Sequence, residues 1–293
     1  DVYHLNKKFI FVGDMGTIIV SNDLRNFKNK NTGYFHSYNS ISYGKGTFII
    51  VGNNGKIITS LDGLNWSERN SGTKNDLNEV IYSNDYFLIV GSNGTLMTSK
   101  NGRKWDAKYI DTSENLNKVV AKKEGFAAVG TSGTIAVSKD SNKWTVTQLK
   151  LDDKVEEKTL KNKSDKKNNL KGVDFSDGKY IAVGTKGLIL ASEDGKTWRK
   201  IGLDTDRNFH DITFGNKNFV VVGDDATVFS YNNEMDHWTK EKILDSRGGF
   251  FNSDDFYGVT YANGNFFLVG DDGISASSTN WKLNPIGIEK KLT

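Results

Sequence analysis

Apolar residues along this chain fall in short runs, and the runs recur with a fixed period. One pentapeptide, an aromatic residue, two apolar residues and Val-Gly, ends at Gly13, Gly52, Gly91, Gly130, Gly184, Gly223 and Gly270. The successive intervals are 39, 39, 39, 54, 39 and 47 residues. Eleven residues before each glycine stands Val2, Ile41, Val80, Val119, Val173, Ile212 or Val259. Three residues earlier stands a large apolar residue: Tyr38, Leu77, Leu116, Leu170, Phe209 or Phe256. Downstream, a turn leads to a third apolar run ending near Ser, then Asp or Asn. The motif closes on Trp66, Trp105, Trp144, Trp198, Trp238 or Trp281, with Phe27 in the first copy. Self-similarity at a period of 20 to 50 residues marks a repeat architecture.

Each copy holds four β-like runs separated by Gly, Asn and Asp, a pattern of strands joined by hairpins. Runs such as FIIV and FLIV are apolar on both faces, so they must be covered on both sides. Radial repetition of a four-stranded sheet satisfies that demand and leaves only short edges. The pattern predicts an all-β, seven-bladed β-propeller with four antiparallel strands per blade, one domain over residues 1–293. Seven repeats and the two lengthened intervals account for the whole chain. Leu292-Thr293 followed by Asp1-Val2 restores the apolar-x-x-Val pattern that precedes the other blades. The closing residues 286–293 are therefore expected to run back to the first blade.

The Ser-x-Asp-Gly-x-x-Trp segments, as in Ser60–Trp66 and Ser192–Trp198, resemble the Asp-box, or bacterial neuraminidase repeat, one residue shorter than its usual form. The wider repeat is similar to propellers of bacterial surface proteins and to the photosystem II assembly and stability factors. That resemblance implies a propeller used for binding, and with the missing initiator Met and the absence of cysteine it implies an exported bacterial protein, extracellular or on the cell surface. A glycan-active hydrolase of the Asp-box type is the alternative, and would need an acid opposite a second carboxylate about 5 to 9.5 Å away.

Composition narrows the chemistry. Thirty glycines and one proline suit many tight turns, and no run approaches the length of a membrane span. Without cysteine there is no disulfide, thiolate nucleophile or thiolate metal site. His4, His36, His210 and His237 show no metal-ligand spacing. The net charge of +3 equals that of one segment, Lys150–Lys171, which carries eight lysines against five acids. The rest is balanced and offers no basic groove with interleaved aromatics, which argues against nucleic acid. The periodic Trp residues and the Asp-box carboxylates read as packing and turn residues.

Function is sought where the copies differ. Two insertions, about 150–169 and 245–253, fall in connections between blades on one face. The second carries Phe250 and Phe251 after two glycines. On that face the second-to-third turns read NN, SN, TS and TK in blades two to five. They become Asp224-Asp225, Asp271-Asp272 and Asp14-Met15 in blades six, seven and one. This arc of five aspartates beside two phenylalanines is the expected ligand site, for a protein or glycan partner. No cofactor is required; the arc suits either Ca²⁺, which takes several oxygen ligands and would be held by Asp224, Asp225, Asp271 and Asp272, or a cationic or sugar-like ligand.

Overall fold

The computed structural model describes residues 1–149 and 168–285, apart from 25, 31–35, 124, 233, 246 and 280, and only the backbone of 282–285. The expectations for Leu292 and for most of the lysine-rich insertion lie outside these residues. Seven antiparallel sheets of four strands each follow one another along the chain. The blade of residues 38–69 is typical, with strands Tyr38–Gly44, Thr47–Gly52, Lys56–Ser60 and Ser67–Arg69. In every sheet the strands lie in chain order, so each blade is a meander. The innermost strands are Val2–Leu5, Tyr38–Gly44, Leu77–Ser83, Leu116–Lys122, Leu170–Ser176, Phe209–Gly215 and Phe256–Ala262. Each contacts the next, and the first contacts both the second and the seventh, which closes the ring. Among the described residues there is no α-helix.

The core lies between blades. Ile49, Val51 and Ile57 of blade two pack against Leu77, Val80, Phe87 and Ile89 of blade three. Equivalent clusters recur around the ring. The tryptophans flank these clusters and are half-buried rather than fully buried. Trp144 and Trp198 donate from Nε1 to the carbonyls of Ser141 and Gly195. The Asp-box carboxylates organise their turns. Asp62 accepts from the N–H groups of Leu64 and Asn65 and from Ser60 Oγ. Those donors hold Asp62 well below the usual carboxylate range.

The glycine of each Val-Gly has a specific cause. In six blades a Cβ there would meet a backbone carbonyl oxygen at 2.0–2.2 Å. At Gly91 that oxygen belongs to Asp76, the residue just before the innermost strand, and it accepts the Ser92 N–H at 2.8 Å. The same bond recurs from Asn53, Thr131, Thr185, Asp224 and Asp271. The backbone at these glycines is extended, so close approach and not positive φ excludes a side chain. At Gly13 no described atom lies within 4 Å.

Gly91→Ala should therefore cost about 3 kcal/mol or more by urea denaturation, the upper range for overpacking against fixed backbone. Gly202→Ala, which meets open space, should stay within about 0.5 kcal/mol of wild type.

Candidate functional site

The face carrying the second-to-third turns holds a cleft of about 700 Å³ between blades seven and one, running down to the ring axis. Its rim is formed by the turns Asp14–Gly16 and Asp271–Gly273. In both, the middle residue adopts left-handed backbone, Met15 at φ 54° and Asp272 at φ 49°. Asn, Ser, Lys or Asp takes that conformation in the other blades, as at Asn54, Ser132 and Asp225. A methionine there costs about 1–2 kcal/mol of backbone strain. It also leaves Met15 70% exposed.

A β-bulge builds the next layer. In six blades the innermost strand slips by one residue between the large apolar residue and the recurring Val or Ile. Such bulges re-aim a side chain. The extra residues are Asn39, Asn78, Asn117, Lys171, His210 and Tyr257. The three asparagines tie neighbouring blades, donating from Nδ2 to the carbonyls of Leu77, Leu116 and Leu170. Blades five to seven depart from this pattern. Lys171 Nζ lies 2.8 Å from His210 Nδ1, and His210 Nε2 lies 2.6 Å from Asp224 Oδ1. Asn208 holds Asp224 Oδ2 through both its backbone and side-chain N–H groups. The Tyr257 ring stands 4.9 Å from the His210 ring, and its hydroxyl donates to Asp255. Burial, then the charges of Asp271 and Asp255, push the Tyr257 phenol far up. Burial and the Lys171 ammonium hold His210 below its ordinary value. The neutral ring accepts from Lys171 at Nδ1 and donates to Asp224 from Nε2.

The floor is made by the residue just before each recurring Val or Ile. These residues are Asp1, Ser40, Glu79, Lys118, Gly172, Asp211 and Gly258. Gly172 and Gly258 let the innermost strands of blades six and one come close, with Asp211 Cα 3.1 Å from a Cβ at Gly172. Lys118 Nζ reaches Glu79 at 3.1 Å and Asp211 at 3.2 Å. Asp211 Oδ2 accepts the Val259 N–H, and Asp174 accepts the N–H groups of Phe175 and Phe214. Burial raises Glu79 to about 7 and Asp174 to about 6, although Lys118 pulls both down. Two carboxylates pressed against one ammonium, with a third nearby, hold more negative charge than this interior favours.

The sequence-derived site is partly assembled. Asp14, Asp271 and Asp272 line the cleft, whereas Asp224 and Asp225 do not. Asp224 is engaged by His210, and Asp225 pairs with Arg207. Among the described residues, the one group of three metal-type donors within 4.8 Å is His210, Asp224 and Asp255. There Nε2 directs its proton at Asp224 and an ammonium backs the ring, which disfavours a cation. The four aspartates expected to hold calcium form no such group. Phe250 and Phe251 also depart from expectation, because neither lines the cleft. Leu244 N–H donates to the Trp281 carbonyl and Phe251 N–H to that of Ile243, which lays the insertion along blade seven. Half-buried Phe251 packs on the cluster between blades six and seven, and exposed Phe250 lies under the Lys242 ammonium at 5.2 Å. Sequence reasoning missed Lys171, His210 and Tyr257, and the charged floor residues. Their signal was present as non-repeating residues between two repeating apolar positions.

No family model matches the chain, and no curated protein matches its sequence. Solved structures do. YCF48 from Cyanidioschyzon merolae superimposes with a TM-score of 0.71 at 12% identity, covering 94% of this chain and 93% of that one. YCF48 bound to D1 peptide gives 0.70 at 14% identity over 92% of this chain and 86% of that one. The computationally designed Ika8 protein gives 0.64 at 11% identity, covering 94% and 81%. The likeness is one of fold.

Raised carboxyls give the floor a pH signature. A folded-state value above the unfolded one contributes stability that is full below the unfolded pKa and lost as pH rises through the folded one. As the pH falls from about 8 to about 5, Glu79 and Asp174 should therefore add about 4 kcal/mol of stability, offset by about 2 kcal/mol lost at the Asp1 amino group, which burial lowers to about 6. Glu79→Gln should flatten that rise in urea melts, and an unchanged profile would refute the assignment to Glu79.

Proposed function

We propose that this protein is a non-catalytic binding propeller that takes a polypeptide segment at the mouth of blades five, six, seven and one. The observation that carries the reading is the cleft itself. It opens beside two exposed apolar side chains, Met15 and Tyr257, on the arc where the bulge residues stop serving as inter-blade ties. Strain at Met15 supports it, since unfavourable backbone geometry tends to concentrate at functional positions. YCF48, a fold neighbour, has been solved with a D1 peptide bound, which makes a peptide ligand a natural use of such a ring. Export to a bacterial cell surface belongs to the same reading.

A glycan hydrolase is less well supported. It calls for a raised carboxyl acid facing substrate, and the two carboxyls held high, Glu79 and Asp174, are engaged in the channel wall. A protein partner is preferred over a glycan because the rim offers a flexible thioether and a phenol rather than a flat aromatic platform.

A random peptide library displayed on phage and selected on the purified protein tests the reading. Selected peptides should bind the Met15→Ala/Tyr257→Ala variant about 10-fold more weakly, as for hot-spot side chains. They should bind Lys104→Glu, on the opposite face, as well as wild type. Selection of no peptide, or loss of binding through Lys104 instead, would overturn it.

A further inference from the structure

We propose that the cleft between blades seven and one is a specificity pocket for a lysine or arginine side chain of the bound polypeptide. This rests on the peptide-binding reading above and adds to it which residue is recognised.

The cleft is apolar in the middle and acidic at both ends. Its walls include Phe11, Val269 and Ile274, whereas Asp14, Asp271 and Asp272 stand at the rim and Asp211 at the floor. That order suits a long aliphatic stem carrying a cation, which buries its methylenes against apolar surface and keeps its head polar. Carboxylates outnumber the one lysine that lines the cleft, Lys118. The Asp14 carboxylate has no hydrogen-bond or ion-pair partner among the described residues.

The floor supplies an independent observation. Asp211 is 3% exposed, and its Oδ1 accepts no hydrogen bond among the described residues. Lys118 Nζ lies 3.2 Å from that oxygen as an ion-pair contact without hydrogen-bond geometry. A buried carboxylate oxygen in this state can take a donor. Lys118 is shared between Asp211 and Glu79, so one ammonium serves two carboxylates at the floor. A cation entering from the rim approaches, at the floor, a carboxylate whose Oδ1 accepts no hydrogen bond and which shares its one ammonium with Glu79. A glutamate or aspartate entering the same way meets repulsion at the rim and again at the floor.

The test uses capped pentapeptides with Gly and Leu flanking a central lysine, arginine, norleucine or glutamate, with binding measured by calorimetry. Lysine and arginine should bind about 10-fold or more tightly than norleucine, glutamate should not bind, and added salt should erase the preference. Asp271→Asn/Asp272→Asn should reduce the lysine preference by about 5-fold. Asp211→Asn should reduce it further, and because this residue is buried its fold is checked by circular dichroism. Asp14→Asn serves as the exposed alternative, expected to weaken lysine binding in a protein that folds normally. Equal binding of lysine and norleucine peptides would overturn the pocket while leaving the peptide-binding reading standing. Failure of every peptide, including those selected from the library, would remove both. Tighter lysine-peptide binding by Lys290→Gln/Lys291→Gln would assign the cleft to the chain's own end and overturn the partner assignment.

Discussion

A carbonyl oxygen seated where a side chain would begin is the contact on which this ring depends. Before an innermost strand starts, the preceding residue lays its C=O against the Val-Gly glycine of its own blade and accepts the next N–H. Repeated in six blades, that contact fixes where the chain turns inward. It sets the bulge that follows, and so the direction of the first side chains at the mouth. Because the strands are apolar on both faces, each blade is stable only when its neighbours cover it. The innermost strands accordingly form a closed circuit.

Closure creates a second problem at the axis, where one residue from each of seven blades converges. Two glycines and one serine leave room, and Lys118 bridges Glu79 of blade three and Asp211 of blade six. Breaking such a buried pair costs far more than forming it contributes. The cluster thus ties non-adjacent blades more than it stabilises the fold. Its charge is unbalanced, and the imbalance faces the cleft through Asp211.

The candidate site occupies the part of the ring where structural duties lapse. Asn39, Asn78 and Asn117 are consumed in tying blades together. Lys171, His210 and Tyr257 hold the same backbone position but turn to one another and to Asp224 and Asp255. Met15 replaces the polar residues that left-handed turns favour and projects into solvent. Each departure breaks a local rule on one arc of one face, which is how a recognition surface differs from a scaffold built of repeats.

Periodicity in the sequence determined the number of blades, the four strands in each, the glycine clamp position and the turn role of residues such as Asp62. These follow from local pattern, because every copy solves the same packing problem with the same residues. The sequence also placed Asp14, Asp271 and Asp272 on one face, since turn order fixes the faces. Tertiary structure alone decided the rest. Glu79, Lys118 and Asp211 occupy equivalent positions in different blades, and a repeat shows equivalence without showing which copies meet across an axis. The bulge that aims His210 and Tyr257 at the mouth depends on register, which alternating hydrophobicity leaves undetermined at one residue. Phe250 and Phe251 looked like a pair, yet a hairpin against blade seven half-buries one and leaves the other outside, away from the cleft. Side-chain partners separated by whole blades are set by ring closure, and that geometry exists only once all seven sheets have packed.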